Sequence, residues 1–104
     1  KESDSEDLKN EILNIANSEK AYSDFDKMFS QVYPDFYKNL NIHGKLSQTD
    51  IRLASYIKMN HSNNEIARIS GISIRTVESQ RYRLSKKLNI SADEDLNSFI
   101  SKIW

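Results

Sequence analysis

The chain of 104 residues has no cysteine, one proline and two glycines, and its formal charges cancel to zero. Without cysteine there is no disulfide framework and no thiolate chemistry, and a reducing compartment is permitted. So few turn-forming residues cannot supply the tight reversals of a β-rich chain, which points to an all-α fold about the size of one small domain. No apolar run approaches the roughly 20 residues that cross a bilayer, so the chain is expected neither to be membrane-inserted nor to carry a secretory leader. The parts of a reaction centre are missing as well. His43 and His61 stand singly in polar stretches, with no glycine-rich phosphate loop and no carboxylate pair in a context for acid–base work. No catalytic residue, enzyme activity or cofactor is expected. Two separated histidines without cysteine do not make a metal site.

The zero net charge hides an uneven distribution. Residues 1–42 hold five lysines against nine acidic side chains, a net of −4, whereas residues 62–90 hold six basic side chains against Glu65 and Glu78, a net of +4. Most of that positive charge follows Ser73. Cations gathered in one segment are what phosphate contacts require.

The same segment carries the clearest local grammar in the chain. Ser62 is a good N-cap and Glu65 stands three residues later, so a capping box can open a first helix. Gly71 ends it, because glycine adopts positive φ without a Cβ clash. Ser73 then caps a second helix over about residues 74–88. Two short helices joined by a glycine turn are the pattern of a helix-turn-helix, in which the second helix can enter a major groove.

The rest of the chain reads as support. From about Asp7 an amphipathic pattern places Leu8, Ile12 and Ile15 at helical spacing, either as a helix packed on the domain or as a coiled-coil lead-in from upstream. Tyr22, Phe25, Phe29, Val32 and Tyr33 recur as one helical face, and aromatics so spaced are expected in a core rather than in a base-stacking platform. Pro34 interrupts, and a short helix over Asp35, Phe36, Tyr37 and Leu40 follows. Ser47, with Asp50 three residues on, starts a helix whose apolar face is Ile51, Leu53, Ala54, Tyr56 and Ile57 and which stops near Asn60. After a break at Asn89, Asp93, Glu94 and Asp95 are expected in the first turn of a last helix with the stripe Leu96, Phe99, Ile100 and Ile103. We divide the chain into an N-terminal helical extension, residues 1–42, and a helix-turn-helix domain, residues 43–104.

On the helix over 74–88, Val77, Leu84 and Leu88 share a narrow arc with Ile74 beside them, and this arc should face the core. The opposite arc presents Arg75, Ser79, Tyr82, Arg83 and Lys86, with Thr76 and Glu78 on its flanks and Lys87 at the end of the helix. Arg75 is suited to bidentate contact with guanine, while Ser73, Thr76 and the first-turn amides suit a phosphate. Glu78 would repel phosphate. It either accepts from a cytosine amino group or, the reading we favour, orients Arg75 or Arg81. Arg81 lies nearer the core arc, where pairing with Glu65 or Glu78 competes with a role on DNA.

At these residues the chain resembles the LuxR-type, or GerE-like, helix-turn-helix family of bacterial transcription regulators, from Leu46 to about Ile90 and more loosely to the end. The resemblance rests on Leu46-Ser47, Ser62-Asn63-x-Glu65-Ile66-Ala67, Ile72-Ser73-x-x-Thr76-Val77 and Lys87-Leu88. It implies a four-helix domain that binds double-stranded DNA through its third helix. It also implies a homodimer formed through the fourth helix, with Leu96, Phe99, Ile100 and Ile103 as the interface. Family members often form the output end of a sensor or response regulator. The first residue, Lys1, is not methionine, so we expect a piece of a longer cytoplasmic protein, or of the cytoplasmic end of a membrane-anchored sensor regulator. No small-molecule ligand is expected in this part. Asn60 and Ser70 replace residues that are usually glycine and leucine in the family. Glu78 and Gln80 replace residues that are commonly lysine and histidine, so base contacts do not carry over one for one and the operator stays open. The alternatives are a protein-interaction module on the same scaffold and a sigma-factor-like promoter-recognition domain.

Overall fold

The computed structural model describes residues 19–104, and all regular structure among them is helical. The elements are α1 (19–32 of the described residues), α2 (Phe36–Asn41), α3 (Gln48–Lys58), α4 (Asn63–Ser70), α5 (Ile74–Lys87) and α6 (Leu96–Ser101). The pattern of Leu8, Ile12 and Ile15 lies outside the described residues.

Four of these helices begin on a side-chain cap. The Asp50 amide donates to Ser47 Oγ at 3.2 Å while the Ser47 amide donates to Asp50 Oδ2 at 2.9 Å, and Ser62 and Glu65 repeat the exchange at 3.1 and 2.9 Å. Ser73 accepts from the Thr76 amide at 3.1 Å and Asp95 from the Ser98 amide at 2.8 Å. Each such contact satisfies a donor that the first helical turn leaves free. The three helices α3, α4 and α5 also end alike. Asn60 (φ 63°), Gly71 (φ 69°) and Asn89 (φ 53°) turn left-handed. The amide that follows each reaches back five residues, to Tyr56 O (3.1 Å), Ala67 O (3.0 Å) and Ser85 O (3.3 Å) respectively.

The last helix is shorter than its sequence suggests. Asp93, Glu94 and Asp95 precede α6 instead of forming its first turn: Asp95 is the N-cap, and Glu94 receives Lys102 Nζ at 2.6 Å. Asp95 at the cap accepts from the Ser98 amide, one of the donors that the first turn leaves free.

One hydrophobic core runs through all six helices. It takes Tyr22 and Phe29 from α1, Phe36 and Leu40 from α2, and Leu53, Ala54, Tyr56 and Ile57 from α3. Ile66 and Ala67 of α4, Val77 and Leu84 of α5, and Leu96 and Ile100 of α6 complete it, with Leu88 and Ile103 just past the last two helices. The described part of the extension therefore shares its core with residues 43–104. Phe29 stacks on Phe25 (5.4 Å) and meets Phe36 edge-on (5.1 Å), and Phe25 lies 4.7 Å from Tyr56, joining α1 to α3. Val32, expected on this face, is 60% exposed. It sits about 60° around the helix from Phe29, at the edge of the buried arc.

The stripe expected at a dimer interface is core instead. Leu96, Ile100 and Ile103 are buried, because α6 packs on α3. Phe99 is half-buried, edge-on to His43 at 5.1 Å.

Candidate nucleic-acid interface

The turn at Gly71 carries the chain from α4 into α5, and α5 packs on both α4 and α3. Its inward line is thin: Val77 and Leu84 are fully buried and Leu88 nearly so. Arg75, Thr76, Glu78, Ser79, Tyr82, Arg83, Lys86 and Lys87 are exposed, as is Ser73 at the cap. Ile74, expected beside the core arc, is 45% exposed in the first turn. Arg75, Glu78, Ser79, Tyr82 and Arg83 line one open depression on the outer side of the helix. Lys86 Nζ lies 5.3 Å from the centre of the Tyr82 ring, a cation–π contact that holds two long exposed side chains together.

With so few buried side chains, α5 is fixed by polar contacts along its length and at both ends. At the start, Ser73 Oγ bonds to the Thr76 hydroxyl (2.9 Å) as well as its amide, so both hydroxyls serve the cap. In the middle, Arg81 donates to Asn97 Oδ1 at 2.6 Å, tying α5 to α6. Burial lowers the Arg81 pKa, and the Asp95 charge opposes that shift. Among the described residues Arg81 pairs with neither Glu65 nor Glu78. Glu78 itself makes no hydrogen bond or ion pair there, so the arginine-orienting role is not formed within the chain. Glu65 instead completes its cap, where the Ser62 amide holds its carboxyl below the usual range.

At the far end, Lys87 Nζ donates to Asp50 Oδ2 at 2.5 Å. Burial pushes the Asp50 carboxyl up, but the hydrogen bonds from Lys87 and Ser47 outweigh it and hold the group below its ordinary value. Lys87 is therefore occupied by a neighbouring helix rather than free for phosphate. Gly44 closes the same corner, since a Cβ there would stand 2.7 Å from the Lys87 carbonyl oxygen. Asp50, Asn97 and Gly44 were not visible as site residues in the sequence. Asp50 and Lys87 are 37 positions apart, and nothing local couples them.

Residues 44–100 match the luxR family of bacterial regulatory proteins. The chain belongs to that family. The chain is 34% identical over 65 residues to the transcriptional regulatory protein TdiR of Thauera aromatica, a match covering 62% of this chain and 29% of TdiR. The chain thus spans well under a third of that relative's length. No solved structure matches it. The luxR-family match covers α3 to α6 and leaves α1 and α2 outside. Among the described residues, no helix is long and apolar enough to cross a membrane, and no group of three or more His, Cys, Asp or Glu side chains is placed to hold a metal ion.

Proposed function

We propose that this chain is the sequence-specific DNA-binding output domain of a bacterial transcription regulator acting in the cytoplasm, with α5 lying in the major groove of double-stranded DNA. One observation carries the reading. The cationic side of α5 faces solvent while its other side is buried, within a helix-turn-helix whose family regulates transcription. In this reading Arg75, near the start of the helix, reads a base edge, with guanine the natural partner for its fork. Ser79 and Tyr82 offer hydroxyls to bases or phosphates along the same line. Arg83 and Lys86 neutralise backbone phosphates. Glu78, free of partners among the described residues, is available to a cytosine amino group. Lys87 holds α5 on α3 and acts on DNA only through that position.

Two copies on one operator would place their recognition helices about 34–36 Å apart, one turn of DNA. Burial of Leu96, Ile100 and Ile103 takes these side chains out of any such interface and leaves Phe99 as the part of the stripe open to a second copy.

Selection of bound duplexes from a random pool, followed by titration of the winner against salt, tests the proposal. The expected results are a defined motif and an affinity that falls steeply as salt rises, because neutralised phosphates release counterions. No duplex affinity at low salt would overturn the reading in favour of a protein-interaction module.

A further inference from the structure

A cleft of about 170 Å³ opens between α1, α3, α4 and the start of the turn into α5. Its walls are Leu53, Tyr56, Ile66 and Ile72, and Glu19, Tyr22 and Arg52 also line it. A dry cavity of about 150 Å³ is enough to take up benzene, so this space is the size of one flat ring. Thr49, Ser70 and Gln80 also border it, and among the described residues their side-chain polar groups make no hydrogen bond. The cleft is thus apolar in part and supplied with free hydroxyl and amide groups, as small-molecule sites are.

Arg52 shows what the other end of a ligand would be. Its two terminal nitrogens reach the Glu19 carboxylate at 2.7 and 2.9 Å, the paired geometry in which guanidinium groups bind carboxylates. Its Nε is buried and has no hydrogen-bond partner among the described residues. The guanidinium lies 4.3 Å over the Tyr22 ring, which fixes its plane against the cleft wall. Glu19 is the exposed member of the pair, with 59% of its side chain accessible against 32% for Arg52. An exposed carboxylate adds little through such a pair and is readily exchanged for another.

We propose that this cleft binds a small aromatic carboxylate, its ring between Leu53, Tyr56, Ile66 and Ile72 and its carboxylate taking the Arg52 fork from Glu19. Binding would release the described start of α1 from α3, and it would place the ligand beside Gln80 of α5. The site therefore joins the N-terminal helix to the recognition helix.

Benzoate at pH 7 is the probe, with benzamide as its uncharged analogue, read by the side-chain NMR signals of Arg52 Nε–H and Gln80. Shifts that saturate with benzoate at millimolar concentration, and at least tenfold more weakly with benzamide, are expected. Glu19→Gln removes the competing carboxylate and should tighten benzoate several-fold. Arg52→Gln and the cleft-filling Ser70→Leu should abolish the response. If Glu19 were only a structural brace, its loss would weaken binding or leave it unchanged, and that outcome overturns the proposal. So does equal response to benzamide, or no saturation in both the parent chain and Glu19→Gln. Duplex affinity of the Glu19→Gln variant is read separately, so failure of the cleft and failure of the DNA reading are distinguishable.

Discussion

The aromatic segment of residues 19–42 and the recognition helix α5 are built by opposite means. In the first, large rings fill the interior: Phe29 and Phe36 are at most 1% exposed and touch one another edge-on. In the second, two buried side chains suffice within a helix of 14 residues, and the rest of its anchoring comes from Ser73, Arg81 and Lys87. A helix that must leave one whole side open to a partner has little apolar surface to bury, so polar contacts set its position. The aromatic segment supplies stability that α5 cannot supply for itself.

The largest effect expected from this contrast is at Phe29. Phe29→Ala should cost about 3–5 kcal/mol, the usual penalty for a ring-sized cavity, measured by chemical denaturation. A loss below about 1 kcal/mol would mean that the segment does not support the fold. Ile100→Ala should cost about 2–5 kcal/mol in the same measurement without changing the association state at matched folded concentration. A shift in sedimentation with stability intact would return Ile100 to an interface. On the recognition helix the balance reverses: Arg75→Ala should barely alter stability but remove about 1–3 kcal/mol of discrimination between the selected duplex and one altered at the contacted base.

Asp50→Asn sharpens the comparison, since Asp50 serves both a cap and the seat of α5. It should cost about 1 kcal/mol at neutral pH. The Asp50 carboxyl is held below its ordinary 3.8, so its contribution is complete above that value and fades as pH falls through the lowered one. Acid titration of stability in the parent and the variant should therefore converge at low pH; parallel curves would show that the Asp50 charge, held by Lys87 and Ser47 together, contributes nothing. The smallest change is expected for Lys86→Ala, which should weaken all duplexes alike and flatten the salt dependence by about one ion.

Helix starts and stops were legible because they depend on neighbours in sequence. Ser47, Ser62 and Ser73 cap as their spacing to Asp50, Glu65 and Thr76 requires, and Asn60, Gly71 and Asn89 are the left-handed stops. The buried arcs were legible to within an edge. Val32 and Ile74 each lie about 60° from the centre of their arcs and are exposed, whereas Arg81, about 40° away, is half-buried. What stayed hidden depends on which elements meet. Lys58 is an example: its ammonium is buried against Ser101 O at 2.8 Å and lies 4.1 Å from the Trp104 ring centre, and burial lowers its pKa. The apolar spacing of α6 identified a stripe but not its destination, because the same side chains could cover a partner or their own α3. The outer side of α5 was drawn from the same helical spacing and emerges exposed, while what it binds remains the proposal above.

The contact between Lys58 and Trp104 gives the molecule a light source at one known place. The chain has a single tryptophan, so emission from that indole comes from beside the closing helix alone. Undocking of α6 from its cation would change colour and brightness, and because Asn97 on the same helix holds Arg81 of α5, the same emission would report when that brace on the recognition helix lets go.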